Sequence, residues 1–284
     1  MNGQNPGRYE NGEGQRFYII EELNRELVSV TTVTGILNKP ALIGWSANMA
    51  VEFIQARILD ELEQGKLTIA DLRKAAVKDI VSQARNYHDE LKVAAGDRGT
   101  RVHAFVDSYV KAILAPSTLD PFDAGAAEVV VEEDIAEQAR RFMVWWSQHK
   151  VKPKYSEKKV WSEEGGGYAG TLDDYWEVDG KWYVVDVKAS KGIWPEHVLQ
   201  LAGYTYAFHE RYPGEPINGA GILHISEEQG WADFQLYTME QIKDEYRKFL
   251  CLAWYMNICL ELKTKAEPKP KGRKPKAKAS EWED

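Results

Sequence analysis

Cysteine is almost absent from this chain: among 284 residues only Cys251 and Cys259 are present. Both fall in an apolar stretch with helical spacing, so neither a disulfide framework nor a four-thiolate zinc or iron-sulfur site can be built within one chain. Both are expected to be buried, unreactive thiols. No run is long and uncharged enough to span a bilayer, and the opening Met1-Asn2-Gly3-Gln4-Asn5-Pro6-Gly7 has neither a basic nor an apolar targeting region. No membrane partner and a cytoplasmic setting are therefore expected. Cationic excess is missing too. The formal net charge of −8 argues against a protein that coats nucleic acid through indiscriminate basic surface, yet it leaves room for a metal site of clustered acids beside a local positive strip. Gly165-Gly166-Gly167 lacks the Gly-Lys-Ser/Thr ending of a phosphate-cradling loop, so no nucleotide cofactor is expected. His197, His209 and His224 have no serine or cysteine nucleophile with an orienting acid beside them. No internal repeat is visible.

What is present is ample for a core: 44% of the residues are hydrophobic and ten are tryptophan. Residues 1–15 are Gly-rich and polar and are expected to stay without structure. Over 16–150 the pattern is mainly helical after two short alternating segments, Arg16 to Ile20 and Leu27 to Val30. Leu42, Trp45, Met49, Phe53 and Ile54 share one helix face after Pro40, and Leu72, Ala76, Ile80, Ala84 and Tyr87 form a second stripe that breaks near Gly96 and Gly99. Thr100 is then read as the cap of a further helix. Ile135, Ala139, Phe142, Met143 and Trp146 form the inward face of another, from Glu132 to Gln148.

After Pro153 the period becomes strand-like. Tyr155 to Trp161, Tyr168 to Trp176 and Trp182 to Lys188 read as an antiparallel meander. A helix from Pro195 to about Arg211, strands near Ala220 to Ser226 and Ala232 to Tyr237, and a helix from Met239 to about Leu260 complete a core over 151–262. The Pro- and Lys-rich 263–284 reads as a flexible basic tail. Most tryptophans, including Trp45, Trp145, Trp146, Trp161, Trp176, Trp182 and Trp231, sit at core spacing. Trp194, in the loop before Pro195, is the best candidate for stacking on a nucleobase.

The chemistry concentrates in Gly170-Thr171-Leu172-Asp173 and, after a turn, Val184-Val185-Asp186-Val187-Lys188. Asp173 and Asp186 fall on adjacent strands, so both side chains can reach a shared point at the sheet edge. Converging carboxylates repel unless a cation lies between them, and hard oxygen ligands suit Mg²⁺ or Mn²⁺. Such an ion neutralises a scissile phosphate and lowers the pKa of a bound water. Lys188, two residues past Asp186, faces the same way. It can orient or help deprotonate the attacking water and offset charge on the phosphorane. Val187 turns its side chain to the core and leaves its carbonyl as a further ligand. An ordinary surface ion pair between Asp173 and Lys188 is the competing reading. Three more features bear on it: Gly170, which permits close approach; Gln200 and Tyr204, four apart on one helix face; and His103 in Gly99-Thr100-Arg101-Val102-His103, a competent Mn²⁺ ligand when neutral. Arg98 and Arg101 flank the histidine turn as candidate phosphate grips, with surface salt bridges an equal alternative.

In the order G-T-R-V-H, G-T-L-D, D-V-K and Q-x-x-x-Y the chain resembles the PD-(D/E)XK nuclease superfamily, in particular its RecB-like branch, with bacteriophage-encoded and CRISPR-associated members. The segment Ser29-Val30-Thr31-Thr32-Val33 through Lys39-Pro40-Ala41-Leu42-Ile43-Gly44-Trp45 is similar to the phage enzymes. The resemblance spans roughly Val28 to Tyr237. It implies an α/β, restriction-endonuclease-like core with a central mixed sheet flanked by helices, preceded by a helical N-terminal portion that contributes His103. It also implies that His103, Asp173 and Asp186 bind Mg²⁺ or Mn²⁺, that Lys188 is catalytic, and that Gln200 with Tyr204 completes the site. Glu157 resembles an additional acid found in such proteins. The expected activity is metal-dependent cleavage of DNA, as an exonuclease in recombination, repair or phage replication, alongside a helicase or recombination partner and with a homo-oligomer open. The alternative is a catalytically inactive nuclease-fold module that binds DNA ends or a replication partner. With two cysteines in the wrong region, no iron-sulfur cluster is expected.

Overall fold

The apolar period changes near Pro153, and there the chain turns from helices to sheet. A computed structural model describes residues 7–37, 40–66, 68, 75–115, 131–226, 228 and 230–266. The fold is mixed α/β. Eight strands form one open sheet: β1 (Arg8–Glu10), β2 (Arg16–Ile20), β3 (Arg25–Ser29), β4 (Val151–Ser162), β5 (Tyr168–Val178), β6 (Lys181–Lys188), β7 (Gly219–His224) and β8 (Asp233–Thr238). The helices are α1 (Val30–Thr34), α2 (Pro40–Glu63), α3 (Ala75–Leu114), α4 (Ala136–Gln148), α5 (Pro195–Arg211) and α6 (Met239–Ala266).

The strand order is β1-β2-β3-β5-β6-β7-β8, with β4 along the other side of β5. The β4–β5–β6 meander is antiparallel as its turns require, and α5 carries the chain across to β7, parallel to β6. Alternation along β6 sorts its side chains by layer. Val184 joins Leu201, Phe208 and Phe249 of α5 and α6 on one face, whereas Val185 and Val187 join Val102, Phe105, Phe142 and Trp145 of α3 and α4 on the other.

The strand β5 has two successive partners on its β6 side. Tyr168 and Ala169 pair with β3, and Asp174 to Val178 pair with β6. The backbone of residues 170–173 pairs with neither strand on that side, so the sheet forks there. Gly170-Thr171-Leu172-Asp173 is the fork.

Several expectations change. The N-terminal segment is structured from Gly7 onward: β1 pairs with β2, Tyr9 stacks on Phe17 with ring centroids 5.4 Å apart, and Asn11 Oδ1 accepts the Glu13 and Gln15 amides to close the turn. No break occurs at Gly96 and Gly99. The helix α3 runs unbroken for 40 residues, about 60 Å, because glycine costs a helix interior only about 1 kcal/mol. Thr100 Oγ1 donates back to the Gly96 carbonyl at 2.9 Å rather than capping. Phe53 of α2 packs on Tyr87 of α3 at 4.7 Å between centroids. On α4 it is Trp145, not Met143, that is buried. Cys251 is exposed and Cys259 half-buried, since α6 turns a different face inward. Trp231 is exposed. The helix α6 continues to Ala266, and residues 267–284 of the expected tail lie outside the described residues, as do 1–6. Among the described residues no helix is long and apolar enough to cross a membrane.

Candidate active site

The fork brings the two motif strands to one point. Beyond the last β5–β6 pair, Asp174 with Val185, the backbone of β6 has no β5 carbonyl to bond. Asp173 takes over with its side chain: Oδ2 accepts the Val187 amide at 2.9 Å. Asp186 is buried, and its Oδ2 lies 2.6 Å from Lys188 Nζ, outside hydrogen-bond angles. Burial holds Asp186 up to about 7, with Lys188 pulling it down and Asp173 pushing it up. Burial works to strip the proton from Lys188, yet Asp186 and Asp173 together outweigh it and leave the ammonium harder to deprotonate than an ordinary lysine. Lys188 Nζ also donates to the Val187 carbonyl at 3.4 Å.

Helix α3 delivers His103 across the open end of the fork. Its Nδ1 lies 3.5 Å from Asp173 Oδ2, and 36% of the side chain remains exposed, enough for a ligand to reach it. Enclosure lowers its pKa, Asp173 opposes this, and the Lys188 cation reinforces it, so the ring is held neutral.

Helix α5 supplies the wall. Tyr204 is buried, and its phenol is raised well above the ordinary value, first by burial and then by Tyr18, Asp173 and Asp186, against Arg16. Its ring fills the space over Gly170. Gln200, one turn earlier, donates through Nε2 to Thr34 Oγ1 of α1 at 3.2 Å and so sits against α1. Trp194, before the first turn of α5, is 52% exposed. Its amide donates to His197 Nδ1 at 3.3 Å. His224 is buried, with Nε2 2.6 Å from the Ser190 carbonyl, which pins the loop after Lys188.

The structure adds an acidic group that no motif announced. Asp107, one turn beyond His103, accepts from Ser156 Oγ at 2.8 Å. Ser156 is in register with Asp174, which is buried with an unpartnered Oδ1. Burial, then Asp173 and Asp107, push the pKa of Asp174 well above that of an ordinary aspartate, against hydrogen bonds from Trp176 and Ser156. Glu157, between Ser156 and Lys158, lies opposite Asp173 in the β4–β5 register and has φ of +53°. That left-handed turn in a strand is a strained conformation for a side-chain-bearing residue. Glu157 is exposed at the rim, and its pKa is raised by desolvation, Asp173 and Asp107, against Lys111 and Arg8.

Arg101 is engaged by carboxylates. It is tied to Asp97 at 2.5 Å, Glu132 at 3.3 Å and Asp134, three carboxylates that fasten α3 to the start of α4. Arg98 is half-buried on α3, just over one turn before His103.

The donor set fits a hard divalent cation. Asp186 Oδ2 is a buried acceptor paired only by charge, Asp173 stands beside it, and His103 offers a neutral nitrogen. Among the described residues no three such side chains are already drawn around one point. No family model and no curated protein matches the chain.

Proposed function

We propose that this protein is a Mg²⁺- or Mn²⁺-dependent DNA nuclease, acting as an exonuclease in recombination, repair or phage DNA replication. The observation that carries the reading is the fork itself: Asp173, Asp186 and Lys188 meet where β5 changes partner, with His103 across the opening. A surface ion pair needs neither a buried aspartate nor a histidine held neutral.

In this reading His103, Asp173, Asp186 and the Val187 carbonyl would hold the ion, which when bound would supply Lewis acidity toward the phosphate and a more acidic water. Hydrolysis adds the water oxygen to phosphorus and breaks one P–O ester bond, and the leaving oxygen takes up a proton. Lys188, kept as an ammonium by its two acids, orients the water and offsets charge building on the phosphoryl oxygens, a role of electrostatics rather than of a resting-state base. Tyr204, kept as a phenol, shapes the wall. Trp194 offers an exposed ring for a base next to the cut. The resemblance in motif order supports the same assignment.

The alternative, a nuclease-fold module that binds DNA ends or a replication partner without cutting, draws support from the close Asp186–Lys188 pair, which a catalytic ion would have to share. One experiment separates the two. Purified protein is given Mn²⁺ and either circular DNA or linear DNA labelled at its 5′ end or at its 3′ end. The expected result is loss of linear DNA, abolished by chelation and by Lys188→Ala. Tight binding with no turnover would select the module instead. Circles distinguish exonuclease from endonuclease action, and the two labels give polarity.

A further inference from the structure

The helix α6 has two apolar faces, and only one is used. Ile242, Tyr246, Phe249, Ala253 and Met256 are buried against α5 and the sheet. On the opposite side Cys251, Trp254, Tyr255, Ile258 and Leu262 recur at helical spacing and are exposed: Trp254 is 57% exposed, Tyr255 60%, Ile258 50% and Leu262 60%. Single exposed apolar residues are ordinary, but a continuous stripe of this kind marks an interaction surface.

The charges at the ends of the stripe say what covers it. Arg247, Trp254 and Glu261 are seven residues apart and form one column along the helix. A two-fold axis perpendicular to a helix pair turns the second copy end for end and sets each column against itself reversed. Arg247 then meets Glu261 of the second copy, and Trp254 meets the copy's Trp254 and Tyr255 at the dyad. Cys251 faces Ile258, and Asp244 faces Lys265. Arg247 and Glu261 are exposed, with side chains 67% and 70% accessible, and among the described residues their ion pairs are within their own helix, to Asp244 and to Lys265. A parallel arrangement would instead align like charges.

We infer that this face binds a second copy of the same chain, forming an antiparallel α6–α6 dimer with its dyad beside Trp254 and Tyr255. The two cysteines provide a reporter. In this arrangement Cys251 lies beside Cys259 of the second copy, on adjoining turns, whereas a parallel pair would bring Cys251 to Cys251.

The full chain is examined by analytical ultracentrifugation, and the expected species is a dimer. Ile258→Glu and Trp254→Glu, both at exposed positions, are expected to give monomers with unchanged circular dichroism and a thermal midpoint that no longer depends on protein concentration. Mild oxidation followed by non-reducing electrophoresis is expected to cross-link the wild type and not Cys251→Ser or Cys259→Ser, because the bond needs both. A monomeric wild type at tens of micromolar overturns the inference, as does a dimer that survives both glutamates or a cross-link that survives Cys259→Ser. None of these readouts depends on nuclease activity, so the two proposals fail separately.

Discussion

Tyr204 lies so close over Gly170 that a Cβ at position 170 would overlap its ring at Cε1. The glycine is therefore not there for backbone freedom, since its φ lies outside the left-handed region. It makes room at the fork for a buried aromatic that packs beside both acids. Gly170→Ala is expected to push the ring aside and cost about 1–3 kcal/mol, as overpacking of a filled core does. Tyr204→Ala should remove the clash, so the double variant loses less than the sum of the singles. Urea unfolding of the four proteins gives this coupling, and strict additivity would show that the contact is unimportant.

Lys188→Met keeps the volume and removes the charge. Cleavage is expected to fall about 10²–10³-fold, the loss typical of one preorganised electrostatic donor. Stability should change with pH as well. Without its ammonium, Asp186 keeps its burial penalty and loses its main opposing influence, so its pKa rises further. The variant should be least stable relative to wild type above about pH 7 and approach it at pH 5, where Asp186 is protonated in both. Thermal midpoints across that range check the sign.

Local chemistry was legible in the sequence wherever one element carried it. The β4–β5–β6 meander and the bounds of α5 followed from alternation, from short turns and from Pro195 at the helix start. The alternation could not show the parallel pairing of β3 with β5, which creates the fork, because parallel partners are distant in sequence. Gly96 and Gly99 read as a break, yet the packing of α3 against α4 and the sheet outweighs a helix penalty of about 1 kcal/mol per glycine. Asp107, Ser156 and Asp174 come from three elements and form no motif. The one available signal was the doubled acid Asp173-Asp174, of which alternation allows only one to face the site while the other turns into the core. The partners of Arg101 were hidden for the opposite reason: its three carboxylates come from both ends of a long connection.

Arg101→Ala should therefore loosen the junction of α3 and α4 and leave DNA affinity nearly unchanged. The slope of log affinity against log salt, which counts neutralised phosphates, is expected to match wild type, and the thermal midpoint to drop. A slope shallower by about one would instead place Arg101 on a phosphate.

Trp194→Ala is expected to do the reverse. With half its surface exposed the ring contributes little to folding, so the midpoint should hold. Affinity for single-stranded DNA is expected to fall by about 1–3 kcal/mol, the value of one base stacked on an aromatic ring. Fluorescence titration of the Asp186→Asn background, which removes turnover, measures it, and equal affinity with and without the ring would exclude stacking.

Protons and the cation compete for the same buried oxygen. Asp186 is raised to about 7, above the range near 3.9 of an unfolded chain, so between those values the folded state binds the proton more tightly. The cation-free protein should then lose stability as pH rises from about 4 to about 7, because ionising the buried group becomes part of staying folded. Cation binding runs the other way, since a ligand must be deprotonated. Below about pH 7 the half-saturating Mn²⁺ concentration should fall about tenfold per pH unit, one proton leaving per ion bound, and level off above it. His103 sharpens this dependence little, because its enclosure already favours the neutral ring. Isothermal titration at pH 6, 7 and 8 in buffers of different ionisation enthalpy reads both the affinity and the proton released. Asp186→Asn should abolish the pH dependence together with tight binding, whereas Mn²⁺ affinity that is flat across this range would place the ion elsewhere than the fork.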